Sequence, residues 1–220
     1  MKEFPRIGSI LLKAATIIAI LVGTVFSFVN MVYKGEAFCY YTNQCNMLLL
    51  LLMASLLVFD LFGGIRKERY YYMIKFSLTM CSLLSPLIYT GLFSSAEQMT
   101  LGGGWYNLIT HALVPALALT DYLLCDRRGL TPWYTPLLCG LGPLAHLAFV
   151  ALRNLSGEGY HIQDSPVIVP APYGFLRGEP SSIVLTCLVL LAGFIAACFL
   201  LRLLDVARAK LSLRNQKESQ

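Results

Sequence analysis

Charged side chains are scarce in this chain of 220 residues: 13% of them are Asp, Glu, Lys or Arg, whereas 57% are hydrophobic. A soluble globule of this size needs more polar residues to cover its surface, so the composition excludes an ordinary soluble domain. The sequence also lacks internal repeats, the Cys and His spacings of a metal site, and a nucleotide-binding glycine loop. We therefore expect neither a metal ion nor an organic cofactor.

The hydrophobic residues are grouped into long runs, each close to the roughly 20 residues that cross about 30 Å of hydrocarbon as a helix. We predict an all-α fold, a polytopic transmembrane bundle of six helices that forms a single domain over residues 1–220. Four prolines interrupt the third, fourth and fifth runs, but membrane helices tolerate proline where neighbouring helices satisfy the freed backbone groups. The predicted spans cover about residues 9–32, 42–62, 70–92, 106–125, 133–153 and 182–204.

The basic residues predict the orientation of this bundle. Of the 17 Lys and Arg residues, all but Lys34, Arg153 and Arg177 fall on one side of the predicted topology. Positively charged segments remain in the cytoplasm, so both termini are expected there, in the cell membrane if the host is bacterial. The first span is too long for a signal peptide and lacks a convincing cleavage site, so we expect it to remain. Topology thus accounts for the net charge of +5, and the expected partner is the lipid bilayer, with no nucleic acid.

A few polar residues lie at membrane depth, where an unpaired polar side chain is costly. Asp60, Asp121 and Asp205 fall near the cytoplasmic ends of their spans, and we expect them to pair with the arginines that follow them in the sequence. His146, near the middle of the fifth span, is best interpreted as a hydrogen-bonded packing residue or a contact between helices.

Two further polar stripes enter the membrane from the outer side. Span two begins with a polar segment in which Thr42 and Asn46 are four residues apart, and span four begins with Asn107 and His111 at the same spacing. Residues four apart lie on one face of a helix, so each pair forms a stripe. Both helices run inward, and the two stripes lie at compatible depths.

A hydroxyl near an imidazole is the minimum equipment for nucleophilic acyl transfer, because the imidazole removes the proton of the attacking oxygen. Thr42 and His111 are the candidates for these two roles, and the amides of Asn46 and Asn107 are candidate oxyanion donors. The same residue types also hydrogen-bond between membrane helices, so a purely structural role stays open.

The same segments resemble a family of six-span membrane proteins that includes the androgen-induced (FAR-17a/AIG-like) proteins and bacterial proteins of the Pr6Pr type. Residues 41–46, YTNQCN, are similar to the family's aromatic-Thr-x-x-Ser-Asn element. Residues 107–115, NLITHALVP, followed by the TDY of 120–122, are similar to its His-x-x-x-Pro element with a later Asp-aromatic pair.

The resemblance implies an atypical threonine hydrolase that acts on lipid esters, with Thr42 as nucleophile and His111 as the catalytic histidine. In the animal members these esters join fatty acids to hydroxy fatty acids. Cys45 departs from the family pattern, which more often has serine there, so a cysteine nucleophile is an open variant. Asn46 and Asn107 remain the expected supporting residues.

Three alternatives stay open at this stage. The same polar pocket would also suit a protein that binds or transports a lipid or small ligand without catalysis. The long outer loop, residues 154–181, is either a lid or a plain connection. Cys39 and Cys45 bracket the start of span two, where a disulfide is sterically conceivable in an oxidising compartment.

Overall fold

Helices dominate the structure, a computed structural model that describes residues 6–30, 34–62, 69–92, 104–126, 128–161 and 167–218. The α-helices of this described part are α1 (Arg6–Asn30), α2 (Tyr41–Leu61), α3 (Arg69–Leu92), α4 (Gly104–Leu108), α5 (Val114–Cys125), α6 (Thr135–Cys139), α7 (Leu141–Leu155) and α8 (Pro180–Glu218). Two 3-10 helices, Lys34–Cys39 and Gly174–Leu176, and a π-helical turn, Ile109–Leu113, lie between them. The predicted all-α class is confirmed.

Five helical segments are long and apolar enough to cross a membrane: Ile7–Val29, Tyr41–Leu61, Trp105–Cys125, Thr135–Leu155 and Pro180–Ser212. The predicted third span forms the helix α3, whose 24 residues match the other spans in length. α3 is not among the five found in the described part of the chain, and its first half carries Lys75 and a run of tyrosines.

Large hydrophobic side chains cover the outside of the bundle, the reverse of a soluble protein. On α8, Leu185, Leu188 and Val189 are each about three-fifths exposed. Surface of this kind aggregates in water and is stable in hydrocarbon. The exposed hydrophobic surface and the five long apolar helices together are the features of an integral membrane protein.

The helices around the two polar stripes pack closely together. α1 contacts α2 and α5, and α3 lies against α2, α5 and α6, while α6 also contacts α8. We call the end of the bundle where α2 begins the Thr42 end and the opposite end the Asp60 end. Buried apolar residues fill the space between the two ends, with Leu49, Met53 and Val114 among those fully shielded.

A buried network of opposite charges, here called the ionic cluster, joins four helical segments at the Asp60 end. Lys13 Nζ lies 2.7 Å from Asp121 and 3.3 Å from Asp60. Lys75 Nζ lies 2.5 Å from Asp121 and 2.7 Å from Asp126. Both lysines and Asp121 have fully buried side chains.

The described partners in this cluster include lysines that the sequence did not predict. Lysines of α1 and α3 bind Asp60 and Asp121, whereas Arg66 and Arg127 lie outside the described residues. Asp205 accepts a hydrogen bond of 2.7 Å from the backbone N–H of Gly129. Sequence proximity suggested the arginines, but the packing of α1 and α3 against α5 brings more distant lysines to the carboxylates.

The long loop between α7 and α8 folds back onto the Thr42 end. Its strands β1 (Tyr160–His161) and β2 (Ile168–Val169) pair antiparallel, with Tyr160 opposite Val169. Beyond the strands, the hydroxyl of the buried Tyr173 accepts a 2.9 Å hydrogen bond from the backbone N–H of Tyr41 at the start of α2. Burial raises the pKa of the Tyr173 phenol, so the group stays protonated at neutral pH. Residues 162–166 of the loop lie outside the described part.

The last helix is longer than predicted. The sequence places its span at about 182–204, whereas α8 continues to Glu218. Its 39 residues extend about 58 Å at 1.5 Å per residue, nearly twice the thickness of the hydrocarbon core. The hydrophobic pattern marks where the apolar part ends, but backbone hydrogen bonding continues through the polar segment that follows.

Candidate functional site

Thr42 and His111 are linked by a third side chain. The Oγ1 atom of Thr42 lies 2.6 Å from the Oγ atom of Ser85, and Ser85 Oγ lies 2.7 Å from Nδ1 of His111. We call this arrangement the hydroxyl chain. It joins α2, α3 and the π-helical turn at the Thr42 end of the bundle. The two predicted residues are therefore brought together, with Ser85 between them.

Thr42 is held in the first turn of α2. The amide of its neighbour Asn43 donates a 2.6 Å hydrogen bond to the carbonyl of Ala37, which fixes the entry of the chain into the helix. Tyr41 is held from the other side, since its backbone N–H binds Tyr173. Thr42 itself is 9% exposed, so its hydroxyl is shielded but lies at the edge of the buried region.

His111 lies in the π-helical turn, and Pro115 provides a reason for that turn. Proline has no backbone N–H, and its ring clashes with the carbonyl four residues earlier, which here belongs to His111. The turn avoids the regular pattern, because the N–H of Val114 bonds the carbonyl of Ile109, five residues back. Such π-helical turns occur often at functional sites, where they reorient one side chain.

A close helix contact supports the same turn. At Gly23 of α1, an added Cβ would lie only 2.5 Å from the Cγ2 atom of Thr110, the neighbour of His111. α1 therefore approaches the π-helical turn more closely than any larger residue allows. Thr110 is buried, and its hydroxyl lies 3.1 Å from the carbonyl of Tyr106 and 3.2 Å from that of Asn107.

Ser85 is the member of the hydroxyl chain that sequence reasoning missed. It lies in the middle of α3, is 3% exposed, and precedes Pro86. A signal was present, since Lys75, Thr79, Ser82 and Ser85 follow one another at intervals of three or four residues, and all four are buried. Such spacing marks one face of a helix. The spacing does not predict which neighbouring helix packs against that face.

The two predicted amides differ in their surroundings. Asn46 lies one turn beyond Thr42 on the same face of α2 and is 1% exposed, and its Nδ2 has no hydrogen-bond partner among the described residues. A buried amide without a partner is unfavourable, which makes this donor available to a ligand. Asn107 is half-buried on α4, and no hydrogen bond of its side chain is described.

The two cysteines at this end are free thiols. Cys39 and Cys45 are both buried, and burial raises the pKa of the Cys39 thiol. Cys45 belongs to the hydrophobic cluster that contains Tyr41 and Cys81. The disulfide considered from the sequence is therefore not formed in this structure.

Glu36, a carboxylate near this end of the bundle, is engaged by another residue. Glu36 binds His161 twice, with Oε1 lying 2.6 Å from Nδ1 and Oε2 accepting from the backbone N–H at 2.9 Å. Glu97 and Asp164 fall outside the described residues. Within the described ranges, no group of three or more His, Cys, Asp or Glu side chains has the arrangement of a metal site.

The hydroxyl chain thus consists of two hydroxyls and an imidazole in hydrogen-bond contact, and the Nδ2 group of Asn46, one turn further along α2, has no described partner. Comparison with known proteins adds no assignment to this geometry. No family model, curated protein or solved structure matches the chain.

Proposed function

We propose that this protein is a membrane-embedded hydrolase of lipid esters, in which Thr42 is the nucleophile and His111 the base. The observation that carries the proposal is the hydroxyl chain, with its contacts of 2.6 Å and 2.7 Å. A nucleophile and a base within hydrogen-bond reach are the signature of covalent acyl transfer. The resemblance of residues 41–46 and 107–115 to a family of threonine hydrolases points the same way.

In the first step the hydroxyl chain moves one proton in two transfers. Ser85 gives its proton to Nδ1 of His111 and takes the proton of Thr42, whose oxygen attacks the carbonyl carbon of the ester. The C–O bond of the ester then breaks, and the departing alcohol receives a proton from His111 through Ser85. Thr42 is left carrying the acyl group.

Water completes the cycle. His111 takes a proton from a water molecule, whose oxygen attacks the acyl carbon. The bond to Thr42 then breaks, and the proton passes from His111 through Ser85 to the Thr42 oxygen, which restores its hydroxyl. Both steps place negative charge on the carbonyl oxygen. The unpaired Nδ2 of Asn46 is the donor proposed to stabilise this charge, and Asn107 contributes from the half-buried rim.

The proposed topology is a bundle of six spans, with α3 as the third span and both termini in the cytoplasm. The Thr42 end then faces the outer leaflet, and substrates enter sideways from the lipid. Fatty-acid esters, including those of hydroxy fatty acids, suit such an entry because their chains stay in hydrocarbon throughout. Engineered cysteines at residues 67 and 157, probed with an impermeant thiol reagent, test this orientation: only the second should react from outside.

The test of function is labelling of the purified protein with a fluorophosphonate, followed by mass spectrometry to locate the modified oxygen. The variants are Thr42→Val, which keeps the shape of the side chain, His111→Phe and Cys45→Ala. We expect the adduct on Thr42 in the wild type, none in the first two variants, and normal labelling in the third. Hydrolysis of a fatty-acid ester in detergent should follow the same order.

Each other outcome corrects a specific part of the proposal. An adduct on Ser85 would make Ser85 the nucleophile, and loss of labelling in Cys45→Ala would favour the thiol. No labelling and no ester hydrolysis by folded wild-type protein would overturn the hydrolase and leave ligand binding or transport as the function of this site.

A further inference from the structure

A cavity of about 50 Å³ lies beside the hydroxyl chain but on different faces of α2 and α3. Its walls include Tyr41 and Leu84, the chain neighbours of Thr42 and Ser85. Successive residues of a helix point about 100° apart. The cavity is therefore separate from the proposed site of ester hydrolysis.

The cavity walls are mostly hydrocarbon. α7, α8 and the turn Gly174–Leu176 complete them, with side chains that include Leu147, Phe175, Leu176, Leu190 and Leu191. Two tyrosines and one histidine, His146, bring polar atoms to this lining. The hydroxyl of Tyr41 donates to the carbonyl of Cys81 at 3.2 Å, and that of Tyr173 accepts from the backbone N–H of Tyr41.

His146 is the polar group whose hydrogen bonding is incomplete. Its side chain is 5% exposed, and its Nδ1 lies 2.9 Å from Oε1 of Gln44 on α2. Its Nε2 has no partner among the described residues. A buried ring nitrogen left in this state destabilises the protein unless a ligand completes it.

The neighbouring amide determines what kind of partner is missing. Nε2 of Gln44 donates to the carbonyl of Phe38 at 3.1 Å, so its Oε1 faces His146. An amide oxygen only accepts, so Nδ1 of His146 carries the ring proton of the neutral imidazole. Nε2 of His146 is then an acceptor, and its partner must bring a donor.

A water molecule fits the volume but not the surroundings. An ordered buried water makes two to four hydrogen bonds as a rule. Among the side-chain nitrogens and oxygens of the described lining, only Nε2 of His146 lacks a partner. The two tyrosine hydroxyls are already engaged, and the other lining residues are apolar apart from the thiol of Cys187. A hydroxyl at the end of a hydrocarbon chain makes the same hydrogen bond and also fills the apolar space.

We propose that this cavity binds the O–H end of an aliphatic chain, with the O–H donating to Nε2 of His146. About 50 Å³ holds the hydroxyl and its first carbons. The rest of the chain continues along α7 and α8, where Leu144 and Leu188 are exposed to lipid. The ligand is a fatty alcohol or a protonated fatty acid, which share this chemistry, and its binding does not depend on the hydrolase proposal.

The experiment uses the full chain in lipid nanodiscs and a twelve-carbon alcohol that carries a photoreactive diazirine near its hydroxyl. Labelled residues are located by mass spectrometry, and competitors are compared by their mole fraction in the lipid. We expect labelling on the cavity lining. Dodecanol should compete at roughly threefold to tenfold lower mole fraction than dodecyl methyl ether, which lacks the donor, as expected for one neutral hydrogen bond.

Dodecanoic acid separates the two ligand sources. Competition by the acid only at low pH, at least as strong as that of dodecanol, identifies a protonated acid as the preferred ligand. Stronger competition by dodecanol at both low and high pH identifies an alcohol. Both results require an O–H donor.

Variants of His146 test whether its Nε2 atom accepts the hydrogen bond of the ligand. His146→Phe should remove the preference for dodecanol over its methyl ether, and His146→Gln, which can offer an amide oxygen, should restore part of it. Thr79→Val is the matched control, because it deletes another buried polar atom without a described partner, away from the cavity, and should leave the preference intact. Thermal unfolding of each variant verifies that it is folded.

Three results would overturn the proposal. One is equal competition by alcohol and ether in the wild type. Another is a preference for the alcohol that survives in folded His146→Phe. Labelling that avoids the cavity lining altogether would also contradict it and leave water as the occupant.

Discussion

The two buried polar regions of this bundle are built on opposite principles. The ionic cluster at the Asp60 end consists of full charges, and each of its lysines contacts two carboxylates. The hydroxyl chain at the Thr42 end consists of neutral groups, close to the unpaired amide of Asn46. In the first region every charged group contacts an opposite charge of the protein, and the second region retains an unpaired hydrogen-bond donor.

This difference suggests that the ionic cluster stabilises the fold, whereas the hydroxyl chain is suited to proton transfer. Buried charges that pair with one another hold helices in register, and removal of one leaves the others uncompensated. A neutral chain of hydroxyls and imidazole contributes less to stability, but it can pass a proton without moving its heavy atoms. We therefore expect mutations of the ionic cluster to affect folding and mutations around the hydroxyl chain to affect turnover.

The largest effect is expected for Asp121→Leu, because Asp121 contacts both lysines of the ionic cluster. The substitution should lower the free energy of unfolding by about 3 to 5 kcal/mol, measured by thermal or denaturant unfolding in detergent. Lys210→Ala on the exposed face of α8 is the control, with a change within about 0.5 kcal/mol. Equal changes in the free energy of unfolding of the two variants would show that the ionic cluster does not stabilise the fold.

The next effect is expected for Asn46→Leu, which deletes the proposed oxyanion donor and keeps the volume. Turnover of a fatty-acid ester should fall by about 10² to 10³, with KM nearly unchanged. The protein should remain about as stable as the wild type, because the buried Nδ2 group that is removed has no described partner. A rise in KM at constant kcat would assign Asn46 to substrate binding instead.

Ser85→Ala should have a smaller effect on turnover, about 10- to 100-fold, since it interrupts the proton transfer but leaves Thr42 and His111 in place. Loss of the two hydrogen bonds should cost about 1 kcal/mol each in stability. Ser85→Thr, which restores a hydroxyl, is expected to recover part of the turnover. Unchanged turnover in a folded Ser85→Ala protein would show that Thr42 reaches its base by another route.

The smallest effect, and one of opposite sign, is expected for Thr79→Val. Its Oγ1 is buried between the two polar regions and has no described hydrogen-bond partner. Replacement by an isosteric apolar side chain should leave turnover unchanged and stabilise the fold by up to about 1 kcal/mol. A marked loss of turnover would instead connect the ionic cluster to the hydroxyl chain through α3.

Much of the fold followed from the sequence because the relevant signals are local. Apolar runs of about 20 residues predicted the helices, and helical spacing predicted that Thr42 and Asn46 share one face of α2. Local signals fail where a helix continues without hydrophobic residues, as α8 does to Glu218. They also overlook the π-helical turn at His111, which arises from Pro115 and from the close approach of Gly23.

The sequence by itself determined the helical class, five of the six predicted apolar spans and the segments that carry Thr42 and His111, because these depend on composition and on spacing along one helix. Only the tertiary structure decided which side chains meet. It inserted Ser85 between the two predicted residues, joined Lys13 and Lys75 to Asp121, and left Nε2 of His146 without a described partner beside a cavity. Those contacts depend on how helices distant in sequence pack against one another, and the residue spacing within one helix does not predict that packing.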